Sequence, residues 1–293
     1  MTRQPRVICV VVAWGLPEQT QACLASLQVS IYAPLQIVLV DNGSPVALHD
    51  TLACPDACEL IRLEHNCGYT IGTNHGLRRA LALGADYVLL LNNDARVAPH
   101  AIARLVAAAQ QAPHAGVLGA KILYDDTPDR IWSFGSRRRR WSPVPLDLGR
   151  GRRDSAALSA VIPVDYVNGC AMLLSRALLT HVGLLDPLFP MYYEDVDLCR
   201  RAQAAGFTVL AVGDARVWHL VSRTAQQLPR LSLRCHTAGR LRFYRRHPHG
   251  PAPVLTAGWL ALRTAVDLAR LAARRRAQLP AYLAGLADGL RTV

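Results

Sequence analysis

The sequence predicts an α/β fold: a mostly parallel sheet with helices on its faces, followed by a C-terminal helical extension. Three observations carry this. Val7–Ala13 (VICVVVA) is a continuous β-branched run, the pattern of a central strand covered on both sides, and Leu35–Val40 (LQIVLV) reads as a second buried strand. Segments of helical period alternate with such runs as far as about residue 124, which implies βαβ units. From about Leu228 onward the chain becomes Arg-rich and helix-prone, with Leu, Trp and Ala at 3.6-residue spacing between Val254 and Leu290.

The elements follow in order. The strand Val7–Ala13 leads to a helix over Glu18–Leu27, where Cys23, Leu24 and Leu27 share a face. Leu35–Val40 ends in Asp41-Asn42-Gly43-Ser44-Pro45, a dense turn signal. Glu59–Leu63 reads as a short strand and Thr73–Leu83 as a helix stopped by Gly84. Tyr87–Leu91 is a strand ended by Asn92-Asn93-Asp94; Pro99–Gln111 is an amphipathic helix and Gly116–Leu123 a strand. Asp125–Pro163, rich in Arg, Pro, Gly and Ser, reads as mostly loop. It is too long to be an idle connection, so it is a lid, a binding loop or a cover for short strands. Val164–Ser175 is β-prone, Asp195–Ala205 is a helix, and Thr208–Val212 and Ala215–Trp218 are short strands with His219 at the end.

A 293-residue chain that is 51% apolar can bury a large core without disulfide or metal staples, and such a composition excludes a disordered protein. The net charge of +12, with runs such as Arg137–Arg140 and Arg274–Arg276, suits an anionic partner: nucleic acid, a membrane face or a phosphorylated substrate. Aromatics are only 6%, against the interleaved aromatics of a nucleic-acid binder. None of the eight cysteines sits in a C-x-x-C pair, which argues against zinc, and all eight read as reduced thiols of a cytoplasmic protein. The N-terminus imitates a signal peptide, but its apolar run is short and lacks a cleavage site; a buried strand explains it better. No run is long enough to span a bilayer.

Ligands of open α/β sheets bind at the carboxyl ends of the strands. Asp41-Asn42, Asn92-Asn93-Asp94 and His219 all fall there. Each alone reads equally well as an ordinary turn former; together they point to one edge. Asn92-x-Asp94 offers hard oxygen ligands for Mg²⁺ or Mn²⁺ bridging a diphosphate, and His219 adds an imidazole that favours Mn²⁺. The glycine-rich stretch Asn66–Gly76 runs into a helix N-terminus, where free N–H groups favour phosphate. Tyr192-Tyr193-Glu194-Asp195 places two adjacent carboxylates at a helix start. The helix dipole would hold Asp195 ionised and able to accept a proton from a hydroxyl; the plain alternative is an N-cap.

In order, the segments VVVAW, VDNGS, NCGYTIGTNHG, GADYVLLLNND, VNGCAMLLSRALLTHVGLLDP, YYEDVDLCRRAQAAG and VWHLVS resemble the family 2 inverting glycosyltransferases, particularly their rhamnosyltransferase-like branch, from Val7 to about Ser222. The resemblance implies a GT-A (Rossmann-like) mixed sheet over residues 1–225, with 226–293 as a basic helical extension. It implies that Asp195 is the general base, with Glu194, Asn168 and Gly169 at the acceptor and sugar. Ala13, Trp14, Asp41, Asn66, Gly72, Asn74 and Asn93 would line the nucleotide, and Asp94, His219 and Asn92 would hold Mn²⁺ or Mg²⁺. The donor would be a dTDP- or UDP-sugar, rhamnose leading. The acceptor would be a glycan, a lipid-linked glycan or a small molecule, and the sugar would arrive with inversion. Such a role belongs to polysaccharide and cell-envelope synthesis at the cytoplasmic face of the membrane. The extension would pack on the domain, lie on an anionic membrane or pair two copies in a homodimer.

Some residues depart from that pattern. Gly15 stands where a polar residue is common, Asn92 replaces the first acid of a strict DXD, the loop after VDN is shortened, and Arg137–Arg140 has no counterpart. A sugar-1-phosphate nucleotidyltransferase would need a basic, glycine-rich N-terminal loop, which Trp14-Gly15-Leu16-Pro17-Glu18 does not provide. A basic nucleic-acid-binding protein would not gather acids at strand ends.

Overall fold

The structure is a computed structural model that describes residues 3–140, 142–221, 227–248 and 253–291. Ser222 and the expected boundary at 225 lie outside the described residues. The strands are β1 (Val7–Ala13), β2 (Leu35–Asp41), β3 (Cys58–Arg62), β4 (Tyr87–Asn92), β5 (Ala95–Val97), β6 (Ala115–Tyr124), β7 (Ile131–Ser133), β8 (Ser136–Arg139), β9 (Ser142–Asp147), β10 (Val161–Pro163), β11 (Ala171–Ser175) and β12 (Thr208–His219). The helices are α1 (Pro17–Gln28), α2 (Tyr69–Ala82), α3 (Ala101–Gln111), α4 (Arg176–His181), α5 (Glu194–Ala204), α6 (Pro229–Arg246), α7 (Pro253–Arg274) and α8 (Leu279–Arg291).

The main sheet runs β10-β12-β6-β11-β4-β1-β2-β3, with β5 and β7 attached to β12 and β6. Strands β1, β2, β3 and β4 are mutually parallel, as are β6 and β12. Strand β11 runs antiparallel between β4 and β6, so the sheet is mixed and mostly parallel in its N-terminal half. Because side chains alternate along a strand, β1 feeds two cores. Val7, Cys9, Val11 and Ala13 join Leu24 of α1 and Ile102 of α3, while Ile8, Val10 and Val12 join Leu77 of α2 and Leu198 of α5.

The element order follows the expected alternation, with physical reasons for the differences. Helix α2 starts at Tyr69, four residues before the expected Thr73. Its glycines serve the sheet: a Cβ at Gly76 would stand 2.3 Å from Val10 Cγ1, and one at Gly72 would stand 3.1 Å from Val12 Cγ1. The glycines therefore let the helix lie close on β1. The expected long loop after residue 124 holds four short strands. Its Arg137–Arg140 run lies at β8 and the turn of the β8–β9 hairpin. The buried Lys121 ion-pairs with Asp154 and donates to the Leu158 carbonyl at 3.0 Å, tying this segment to β6. The two short strands expected near the end are one strand, β12, with an irregularity between Val212 and Arg216.

The C-terminal helices pack on the sheet domain. Helix α6 covers the chain before α5: Ser232 Oγ lies 2.7 Å from Tyr192 Oη, and His236 packs against the rings of Tyr192 and Tyr193. Helix α7 joins α6 through Arg240, whose Nη1 lies 2.9 Å from Asp267, and through Trp259 against Tyr244. Among the described residues no helix is long and apolar enough to cross a membrane.

Candidate active site

The strand register brings the candidate residues to one edge. Ala13 pairs with Asp41 and Val12 with Asn92. The Asn92 N–H donates to the Cys170 carbonyl at 2.9 Å, which sets Asn168, Gly169 and Cys170 beside the end of β4. Strand β12 finishes with His219 opposite Ala95, next to Asp94. His219 Nε2 lies 3.0 Å from Asp94 Oδ1 and 3.4 Å from Asn92 Nδ2. Both Asp94 and His219 are buried, and Trp132 packs at 5.0 Å between ring centroids on the imidazole. Burial pulls the His219 pKa down. The neighbouring Cys170 thiol and the Asp94 carboxylate outweigh that and push it up to about 10.

This trio fits a divalent cation. A carboxylate oxygen and an imidazole nitrogen converge, with the Asn92 amide turned so that Nδ2 faces His219 and Oδ1 faces Tyr69; a cation here would replace the proton that Asp94 draws onto His219, and the mixed N/O set suits Mn²⁺ better than Mg²⁺. His219 Nδ1 is buried without a hydrogen-bond partner, so the contact with Asp94 accounts for only one of its ring nitrogens. Among the described residues no group of three His, Cys, Asp or Glu side chains forms a ready metal cage. The remaining coordination would have to come from a ligand such as a diphosphate. Asp94 also lines a cavity of about 220 Å³ with Glu18, Gln19, Arg96 and Asp125.

The acid pair sits on the same edge. Asp195 Oδ2 accepts a hydrogen bond from the Gly169 N–H at 2.9 Å, and its Oδ1 accepts from the Val196 N–H at 2.8 Å. Glu194 is buried beside it, with Oε2 unpartnered. Both carboxylates stand in the first turn of α5, yet the dipole does not hold them low. Burial pushes Asp195 up despite its N–H donors, and burial together with the Asp195 charge pushes Glu194 up well beyond it. Desolvation is thus a larger effect on both acids than the helix end. Tyr192 and Tyr193, immediately before α5, both take left-handed conformations (φ 69° and 71°), a strained entry that turns the acids inward.

Other expected residues are committed elsewhere. Asp41 is fully enclosed. Its carboxylate accepts from the Ser44 and Leu48 N–H groups and from Arg62, and those bonds hold it below the usual carboxylate range against its burial. It organises the loop after β2. Asn74 makes a two-way contact with the Leu185 backbone, at 2.8 and 3.1 Å, so it clamps α2 to the segment after α4. Asn93 donates to the Thr20 hydroxyl at 2.9 Å and anchors α1. Gly72 packs α2 on β1. Asn66 is exposed and accepts from Asn42 Nδ2 at 3.2 Å, while the Ala13 carbonyl accepts from the Asn42 N–H at 2.9 Å beside the half-buried Trp14.

Three residues at the site are absent from the sequence-based candidates. Tyr69 Oη donates to Asn92 Oδ1 at 3.4 Å, and burial and the Glu194 charge lead the effects that push its pKa up, so it stands between the acids and the metal-type trio. Its place at the start of α2 is the only sequence signal, and a helix start four residues too late hides it. Cys170, read as a core residue, lies beside His219. Trp132 comes from the segment read as loop, and no local pattern marks it.

A profile of the family "Glycosyltransferase like family 2" matches residues 5–264. The chain is 25% identical to N-acetylglucosaminyl-diphospho-decaprenol L-rhamnosyltransferase of Mycobacterium tuberculosis, over 78% of this chain and 80% of that protein. It is 22% identical to dTDP-rhamnosyl transferase RfbF of Shigella flexneri, over 71% and 67%. In fold it is similar to mannosyltransferase PcManGT from Pyrobaculum calidifontis, solved with GDP-Man and Mn²⁺: TM-score 0.57, 17% identity, covering 100% of this chain and 77% of that one. The mixed sheet, the edge that gathers Asn92, Asp94, His219 and Asp195, and the profile that spans most of the sequence place this chain in glycosyltransferase family 2, with a GT-A-like fold.

Proposed function

We propose that the enzyme moves a hexose, rhamnose first among candidates, from a dTDP- or UDP-linked donor to an acceptor hydroxyl, with inversion at the anomeric carbon. Residues 1–225 carry the chemistry and 226–293 form the extension. One observation carries the reading: the buried Asp195–Glu194 pair lies on the same sheet edge as Asn92, Asp94 and His219, with Tyr69 between them. The rhamnosyl transfer in the names of two relatives supports the sugar, and the lipid-linked acceptor in the name of one supports an acceptor carried on a membrane lipid. The setting would be envelope polysaccharide synthesis at the cytoplasmic face of the membrane.

Asp195 receives the proton of the acceptor hydroxyl as its oxygen attacks the anomeric carbon and the bond to the nucleoside diphosphate breaks. Glu194, protonated beside it, donates a hydrogen bond to the acceptor. The Gly169 N–H fixes the Asp195 carboxylate, and Asn168 borders the sugar. Asp94, His219 and Asn92 would hold the cation, which when bound supplies charge stabilisation to the departing diphosphate.

The test is a panel of nucleotide-sugars with Mn²⁺, scored for donor hydrolysis and transfer. One dTDP- or UDP-hexose should stand out, and Asp195→Asn should keep donor binding while lowering turnover by about 10²–10⁴. Full turnover in that variant would remove Asp195 from the role.

A further inference from the structure

Helix α7 has two unlike sides. One packs inward: Thr256 and Leu271 are buried, and Asp267, its only acid, is turned onto Arg240 and Tyr282. The other side has no partner among the described residues. Val254 is 78% exposed, Leu255 50% and Leu262 66%, and Ala261, Ala265 and Ala269 continue the same face, all exposed. On a 3.6-residue helix these positions fall within a single stripe, and the stripe holds no charged residue over 22 residues, a length of about 33 Å.

Arg270 lies about 60° past one edge of that stripe and Arg275, closing the helix, about 40° past the other, while Arg263 and Arg274 fall on the packed side. Arg263, Arg270 and Arg274 recur at spacings of seven and four, and Arg275 and Arg276 follow. Arg263 is drawn to Asp267 at 3.1 Å; no carboxylate of the described residues pairs with Arg270, Arg274 or Arg275. A helix with an apolar face flanked by unpaired arginines matches a surface with an apolar interior and anionic headgroups. A second copy of this chain would have to bring acids to meet those arginines, and α7 presents none.

We infer that α7 is an in-plane membrane anchor, seating Val254, Leu255 and Leu262 among the acyl chains of an anionic leaflet while Arg270 and Arg275 meet its headgroups. This deepens the reading of a lipid-carried acceptor. Helix α6, which braces α7 through Arg240 and Trp259 contacts, also touches Tyr192 and Tyr193 beside the acid pair. The anchor would thus hold the acceptor side of the enzyme at the surface where such an acceptor lies.

The experiment is co-sedimentation of the full chain with vesicles of phosphatidylcholine, with and without phosphatidylglycerol, in low and high salt. The parent should bind the anionic vesicles and weaken in high salt. Leu255→Glu with Leu262→Glu, and separately Arg270→Glu with Arg275→Glu, should each lower partitioning by about tenfold or more. Melting temperature and donor hydrolysis should hold in both variants. Because the two pairs act on different parts of the surface, the arginine variant decides the matter if the leucine variant does not fold. A parent that ignores anionic vesicles, variants that bind as well as the parent, or a dimer dissociated by the leucine substitutions would each overturn the anchor. Donor hydrolysis without vesicle binding sinks only the anchor; vesicle binding without hydrolysis or transfer on any donor sinks only the transferase reading.

Discussion

The Gly169 N–H donates to Asp195 Oδ2 at 2.9 Å, and a Cβ on that glycine would stand 3.2 Å from Asp195 Cβ and 3.4 Å from its Oδ2. The backbone before β11 thus sets the position of the acid on α5. Gly169→Ala should push the carboxylate aside by a few tenths of an ångström. The expected result is a drop in kcat of about tenfold to a hundredfold, because placement errors of this kind cost rate steeply, with the melting temperature little changed. Steady-state kinetics beside a thermal melt check it.

Burial raises Asp195 above the usual aspartate value of 3.8, and its charge holds the proton on Glu194. The base is lost as pH falls through that raised value. The acid limb of kcat/KM should therefore lie above the range of an ordinary aspartate. Glu194→Gln, which mimics the protonated acid, should keep most of the rate at neutral pH, whereas Asp195→Asn should not. A pH–rate profile of the three proteins decides it.

Asn74 tests how far roles transfer between relatives. Asn74→Ala leaves the Leu185 N–H and carbonyl without partners in a buried place. It should cost about 1–3 kcal/mol of stability while the folded enzyme binds nucleotide as before. Denaturant melts and nucleotide titration separate the two effects; weakened binding at full stability would return Asn74 to the nucleotide.

Asp197 is fully buried and holds Arg201 at 2.6 Å, His247 at 2.9 Å and Arg246 at 3.2 Å. Burial would raise its pKa, but these partners, His247 first, bring it below 3.8. Its folded value is thus depressed, so its stabilisation is present above the ordinary carboxylate range and is lost as pH falls through and below it. Asp197→Asn should cost about 3–5 kcal/mol at neutral pH and flatten stability on the acid side. Melts across that range would show it.

The sheet was legible because β1, β2 and β4 are mostly apolar runs whose type leaves little choice, and the edge was legible because Asn92, Asp94 and His219 lie at or just past strand ends. Positions whose meaning depends on distant partners were not. Asn74 reads as a polar helix residue until Leu185 arrives 111 residues later, and the glycines of α2 read as a loop until the sheet beneath them is known. The rise of the Asp195 pKa was hidden for the same reason. The helix end is visible in sequence, but the burial that outweighs it comes from tertiary packing.

The two left-handed tyrosines before α5 cost about 1–3 kcal/mol each, and α6 is what presses them into place. A shortened gene that stops after the last strand would therefore express a sheet whose reactive acids have lost their brace. On the proposed reading such a fragment would fail at the chemistry, so the tail must travel with the rest whenever this enzyme is trimmed or spliced to another.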